Sequence, residues 1–404
     1  MASESTGKTT KPVPVQDVIK TTVTVLTLVG AVLAALYAYR KQLLEEGASH
    51  RADATQLTER YSKAAEQLGH EQAAVRLAGV YAMARLADDW PEQRQVCIDV
   101  LCAYLRMPYE TDINEPGFRH GEREVRLTII RIIRSHLQDP REDTTWCGRT
   151  LDFTGTTFDG GTDFSGATFC GGRVDFSGAT FSGGRVNFSG ATVSGGRVNF
   201  SGATFSDGQV HFRRVKFCGG WVDFSGATFS DGRVDFSWVK FRGGRVDFRS
   251  ARFSDGRVDF SGATFSGGEV DFSRTTFSGG RVDFSGATFS GGQVDFTEAG
   301  FCGGRVDFSG ATFSDGRVHF SGATFSGGQV HFSGARFYGG EVDFDGARFS
   351  GGQVDFSRAT FSGGEVNFSR TTHSGGQVGF TGSQVGAAVS IDWGPFPPVP
   401  VTQP

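Results

Sequence analysis

From Phe164 to Phe380 a large apolar residue returns at alternating intervals of five and seven, as in Phe176, Phe181 and Phe188. Around each one, apolar and polar positions alternate over three residues, as in Val174-Asp175-Phe176 and Ala179-Thr180-Phe181. A period of two marks a strand with one buried face, so Val174, Phe176, Ala179 and Phe181 are expected inward and Asp175 and Thr180 outward. Between the triplets stand Ser-Gly or Ser-Gly-Gly-Arg, residues that tolerate positive φ and let the chain turn a corner after each short strand. The whole unit recurs every twelve residues almost without a break, and a fixed short period predicts a β-solenoid whose turns pack only on their neighbours. Its core would be a ladder of phenylalanines, with Phe176, Phe181, Phe188, Phe260 and Phe265 among them.

Ala179 with Phe181, and Val186 with Phe188, resemble the pentapeptide-repeat superfamily, in which a large apolar residue at the centre of each five and a small one two places earlier point inward. The resemblance covers roughly residues 151–386 and departs from the strict five by two extra residues in alternate corners. It implies a right-handed, four-sided parallel β-helix, and with these insertions one turn takes two of the twelve-residue units, about 24 residues. A twelve-residue turn is disfavoured, because two Phe rings, a Val and an Ala are too bulky for a flattened coil, whereas four Phe per double unit fill a square interior at ordinary density. Some ten turns at ~4.8 Å make a rod on the order of 50 Å long. Val193 and His373 replace Phe, and Gly379 replaces Asp, so the rod (150–386) is expected to end near Gly386 and residues 387–404, with Pro395, Pro397, Pro398 and Pro400, to form a Pro-rich extended tail.

Ahead of the rod, a polar segment (1–20) leads into Thr21–Tyr39, nineteen residues without a charge. As a helix these span about 29 Å, close to the ~30 Å hydrocarbon core, and predict a single-pass transmembrane helix. Lys8, Lys11 and Lys20 on one flank balance Arg40, Lys41 and Arg51 on the other, so charge does not orient it. Six cysteines form no regular framework, and free thiols point to a cytoplasmic repeat domain. Residues 41–146 read as a small all-α module: Leu57, Tyr61, Ala64 and Leu68 share a helical face, Val75–Leu86 is apolar-rich, and Val125–Leu137 carries an Ile/Leu stripe. The stretches Arg60–His70, Val75–Met83 and Val100–Arg106 resemble the helical segment ahead of the repeats in bacterial membrane-anchored pentapeptide-repeat proteins.

The net charge of −4 predicts no polyanion partner for the chain as a whole. No catalytic constellation, metal-ligand spacing or phosphate loop stands out, so no enzyme activity, cofactor or metal is expected; the Asp column (Asp223, Asp235, Asp247, Asp259) reads as a solvated ladder. These readings favour a membrane-tethered, non-enzymatic scaffold whose rod presents a surface to a protein partner not identified by sequence. The alternative is a DNA-mimicking, topoisomerase-binding protein, known among pentapeptide-repeat proteins. It needs a strongly acidic flank, yet residues 151–388 hold 21 basic and 23 acidic side chains. The repeat breaks its own rule at Arg213, Arg214, Lys216 and Trp221, and again two units later at Trp238, Lys240, Arg242 and Arg245. This basic patch with two Trp rings is the candidate interaction surface for an anionic partner. The family resemblance further implies a homodimer through the C-terminal turns, where Phe380 and Trp393 would serve.

Overall fold

The computed structural model describes residues 15–401, with the side chains of 15–19, 21–30 and 43–54 outside the described set. It divides into two compact units, Met1–Lys63 and Ala64–Pro404. Helix α1 (Val15–Leu68) is continuous over 54 residues and contains the expected span 21–39. Residues 21–30 of that span lie outside the described side chains, and among the described residues no helix is long and apolar enough to cross a membrane. Of the described part of the span, Val32, Leu33, Leu36, Tyr37 and Tyr39 are all exposed.

In the second unit α2 (Ala73–Asp89), α3 (Arg94–Arg106) and α4 (Glu122–His136) pack on one another, and the end of α1 lies against Gly79 of α2. The apolar stripes are buried as the spacing requires: Ala64, Leu68, Val80, Met83 and Leu86, with Val125, Ile129, Ile133 and Leu137 from α4. Buried arginines finish the helices. Arg94 donates to Ala87 O and Asp88 O at the end of α2, and Arg126 donates to Tyr104 O, Leu105 O and Met107 O at the end of α3, supplying the donors that terminal carbonyls lack.

The rod follows, and its pairing fixes the turn. Lys216 is in register with Thr192 and Lys240, Trp221 with Arg197 and Arg245, Thr228 with Thr204 and Arg252, and Arg233 with Gln209 and Arg257. Each partner lies two of the twelve-residue units away, all pairs are parallel, and the twelve-residue turn is excluded. Four faces result. Face 1 contains Lys216–Cys218, face 2 Trp221–Asp223, face 3 Thr228–Ser230 and face 4 Arg233–Asp235. Faces 1 and 2 belong to one sheet and faces 3 and 4 to the other.

The interior is a set of ring ladders. Phe176, Phe200, Phe224 and Phe248 stack at 4.8 Å, while Phe188 meets Phe176 and Phe200 edge-on at 5.8 Å. Phe181, Phe260 and Phe265 are buried in the same way. Each ring contributes about 1.5–3 kcal/mol by burial, and the stacked and perpendicular contacts are those the ring quadrupole favours. At the five-residue corners Ala179 N–H donates to Phe176 O, and Gly178 at φ 62° takes the position of a type II turn that requires a left-handed residue. In the Gly-Gly corners the second glycine is required for a different reason: a Cβ on Gly244 would stand 2.4 Å from Gly220 O of the turn before. The first position lacks this contact, and there Asp207, Asp231, Asp255 and Asp315 occur.

Both ends of the ladder are covered by chain outside the repeat. At the N-terminal end Arg106 of α3 reaches Asp152 at 2.8 Å, Arg123 of α4 reaches Asp159 at 3.4 Å, Arg134 reaches Asp163 at 3.1 Å, and Leu137 O accepts Thr168 N–H. The helical module therefore caps the first turn. At the C-terminal end the ladder runs beyond Gly386: Val389–Asp392 pairs with Gly364–Asn367, so this part of the tail is rod and not extended linker. Phe396 is buried against Phe349, Phe368 and Phe380, and Trp393 lies on Phe361, Phe368 and Phe380. These rings close the end of their own rod.

Two expectations need correction. Asp223, Asp235, Asp247 and Asp259 are buried, not solvated. Each accepts the N–H of the residue two further on and is covered by arginine side chains, so the column is structural. Cys147 and Cys170 are disulfide-paired, with Cα atoms 5.4 Å apart. Cys147 stands one turn ahead of Cys170 in the segment before the first strand, outside the repeat, so the repeat pattern carries no sign of the pair. The expectation of free thiols throughout therefore does not hold for this pair. Cys97 and Cys102 are buried; desolvation pushes their thiols up to about 11 and about 12, which leaves neither a nucleophile at neutral pH.

Candidate interaction surface

Charge on faces 2 and 4 is locally neutralised. The unit Arg-Val-Asp places both charged residues outward on one strand, two residues apart. Arg173 bonds Asp175 at 2.7 Å, Arg281 bonds Asp283 at 2.9 Å, and Arg305 bonds Asp307 at 2.8 Å. Many arginines also reach the next turn, as Arg233 does to Asp259 at 3.6 Å and Arg281 to Asp307 at 3.8 Å. Burial works to raise the Asp175 and Asp307 carboxyls, but Ser177 or Ser309 and the arginine on the same strand outweigh it and hold both below the usual carboxylate range. Without those arginines a stack of buried aspartates would be strongly unfavourable.

Face 1 and the corner leading into it are built differently. The unit here is Thr-Phe-Ser, with no carboxylate, and no acidic side chain stands in any turn of this stripe. It does carry Arg213, Arg214, Lys216, Lys240, Arg242, Arg336 and Arg358. Lys216 and Lys240 are in direct register, and Arg242 follows on the same strand as Lys240. The five residues Arg213, Arg214, Lys216, Lys240 and Arg242 are exposed and form no ion pair among the described residues.

The patch is also held at a conformational cost. Arg214 and Trp238 occupy the left-handed corner position that is glycine at Gly190 and Gly262, with φ of 59° each. For a residue with a Cβ this costs roughly 1–2 kcal/mol. At two other such corners an ion pair accompanies the departure: Arg274 bonds Glu298 at 2.8 Å, as the 24-residue register predicts, and Arg370 bonds Asp345, while Arg358 at φ 57° has no ion pair among the described residues. Arg214 and Trp238 have no such partner among the described residues. The Trp238 ring is 58% exposed and lies over Gly262, the following corner.

Two members of the expected patch fall outside it. Trp221 lies on face 2, half-buried, and stacks with Arg197 of the preceding turn at 3.9 Å. Arg245 turns to Glu269 at 3.4 Å and Asp271 at 3.7 Å, because carboxylates flank it on that face. The surface that remains is Arg213, Arg214, Lys216, Trp238, Lys240 and Arg242.

A further cluster is one that the linear spacing of the histidines does not suggest. His319, Glu341 and Asp343 on face 2 bring one ligand atom each to within 4.8 Å of one another. The signal that could have found it is the strand register, which sets His319 beside Asp343.

The family profile described as pentapeptide repeats (9 copies) matches residues 147–192, 248–300 and 316–372. The chain belongs to the pentapeptide-repeat family. No curated protein matches it. Within the pentapeptide-repeat rod the longest unmatched stretch is 193–247, which contains the whole patch, although strand register continues through it and the Phe188–Phe212–Phe236–Phe260 ladder is unbroken. The departures there, on the surface and at the buried Val193, Val215 and Val239, leave the fold unchanged.

Proposed function

We propose that this pentapeptide-repeat protein is a membrane-tethered, non-enzymatic scaffold that binds an acidic protein surface along face 1. The supporting observation is the acid-free stripe with five cations unpaired among the described residues, in a rod whose Arg-Val-Asp arginines have carboxylate partners. Cations without counter-ions attract an anionic partner and lose that attraction as salt rises, while an exposed Trp ring offers a central anchor. The tether rests on the uncharged run Thr21–Tyr39, whose length matches a bilayer.

The DNA-mimic reading requires a continuous unpaired acidic ridge. Asp207, Asp231 and Asp255 stack without ion partners among the described residues, but over three turns only, and the Asp columns are neutralised by arginine. This favours the scaffold.

The test is the change of Arg214, Lys216, Lys240 and Arg242 together to Glu, with binding to a fluorescent polyglutamate peptide followed by anisotropy across a salt series. Salt-sensitive binding should vanish; equal binding by the variant removes face 1 as the functional surface. Removal of residues 21–39 should release the chain from sedimenting membranes, and labelling of the exposed thiols Cys218 and Cys302 with an impermeant reagent in intact cells reads which side the rod occupies.

A further inference from the structure

We propose that His319, Glu341 and Asp343 form a binding site for one divalent transition-metal ion of the Zn2+ or Ni2+ type. The donors come from adjacent turns of face 2, since His319 is in register with Asp343, and Glu341 precedes Asp343 by two residues on the same strand, which sends both carboxylates to the same side. All three are half-buried, so the side chains are partly desolvated yet reachable. One imidazole with two carboxylates is a donor set that borderline divalent metals take, with further positions left to water or a ligand. Metal–ligand bonds of about 2.0–2.2 Å require the present spacing to close by roughly an ångström, within the reach of side-chain rotation.

The rod contains its own controls. His211 faces Asp235 at 3.9 Å and His331 faces Asp355 at 3.9 Å, the same His-and-Asp arrangement as His319 and Asp343 at 4.0 Å. The residue two before the Asp is Arg233 in the first case and Gln353 in the second; only at 341 is it a carboxylate. A simple His–Asp contact is therefore present three times among the described residues of the rod and the three-donor set once. The shell around the site is in part already supplied: Ser321 Oγ donates to Asp343 at 2.7 Å, Asp345 N–H donates to the other oxygen at 2.8 Å, and Arg317 lies 3.6 Å from Glu341. Such bonds orient a ligating carboxylate, whereas Arg317, 68% exposed, competes for Glu341 and would swing to solvent when metal binds.

Calorimetric titration of the untagged full chain with ZnCl2 and NiCl2 tests this, in a background where Cys218→Ser and Cys302→Ser remove exposed thiols; serine is the residue of both columns elsewhere, at Ser194 and Ser278. One equivalent should bind, and the melting temperature should rise with metal concentration. His319→Asn and Glu341→Gln should each weaken binding about 10-fold or more. Asn occupies the 319 position at Asn199 and Asn367, so the variant keeps a residue this face already accepts, and an unchanged melting temperature without metal verifies its fold. His211→Asn and His331→Asp should leave binding unchanged, and Arg317→Gln should tighten it. The proposal is overturned by the absence of one-to-one binding with both metals, by binding that survives His319→Asn, or by an equal loss on His331→Asp.

Discussion

Faces 2 and 4 and face 1 carry the same kind of cation in different settings. An arginine that opens an Arg-Val-Asp strand has its carboxylate two residues ahead, on the same side of the same strand, and a second one a turn away. A lysine or arginine that enters a face 1 strand finds no carboxylate in that place, Cys218 after Lys216 and Arg242 after Lys240, and no acid in the turns above or below. The repeat is thus self-neutralising on two faces and defenceless on another. Basic substitutions on face 1 add charge that the fold does not use, and Arg214 and Trp238 add backbone strain as well. What the ladder does for stability and what the stripe offers a partner can be separated by mutation.

The largest effect should come from the interior that all faces share. Phe260→Ala, at a fully buried ring stacked on Phe236 and Phe284, should cost about 3–5 kcal/mol, while Thr264→Ala on face 1 should cost under ~0.5 kcal/mol. Equal shifts in urea midpoint for the two would refute the inward and outward assignment. Next is the ladder itself. Asp247 is fully buried, accepts the Arg249 N–H and pairs with the Arg249 guanidinium, so Asp247→Ala should cost about 1–3 kcal/mol. A cost near zero, measured by chemical unfolding, would return the Asp column to the solvated role expected from sequence.

Acid should act on the ladder and spare the stripe. The Asp175 and Asp307 carboxyls titrate below their usual range, so the folded chain binds fewer protons than the unfolded one and stability rises with pH in that window. Their contribution is complete above the unfolded value of about 3.9 and is lost as pH falls through the lower folded values. The urea midpoint should therefore decline once pH drops below about 4. A chain with face 1 reverted to Thr and Ser should show the same acid profile, because lysine and arginine do not titrate there; a different profile would mean that the stripe is coupled to the ladder.

Most of the architecture is readable from spacing. The five-and-seven alternation specifies the strands, the corners and the 24-residue turn, and the same register correctly pairs Arg274 with Glu298 and Lys216 with Lys240. The errors share one cause: strand alternation tells which side a residue leaves from and not what covers it afterwards. Asp247 leaves outward and is then buried by Arg249 and Arg245. Trp221 has Arg197 on one side and Arg245 on the other, and it is Arg197 that stacks while Arg245 turns to Glu269 and Asp271. The ends are less legible because they are aperiodic. Nothing in a twelve-residue rule foretells that Phe396 folds back onto the last rings, that α3 and α4 cap the first turn, or that Cys147 meets Cys170.

The smallest expected effect bears most directly on whether face 1 was shaped for a partner. Reverting Arg214 to Gly, Lys216 and Lys240 to Thr, and Arg242 to Ser restores the residues found in neighbouring turns, at Gly190, Thr192, Thr264 and Ser266. The glycine relieves left-handed strain of roughly 1–2 kcal/mol but adds about 0.5–1 kcal/mol of unfolded-chain entropy. Removing the in-register Lys216 and Lys240 pair relieves a like-charge contact as well. The sum should be a neutral or slightly raised melting temperature. If these residues were there for the fold, reversion would lower it, and the contrast with the Arg-Val-Asp ladder would fail. If they serve a partner, the reverted rod should be at least as stable as the natural one and should lose its salt-sensitive binding to polyglutamate. Differential scanning calorimetry and anisotropy on the same protein preparation give both readings.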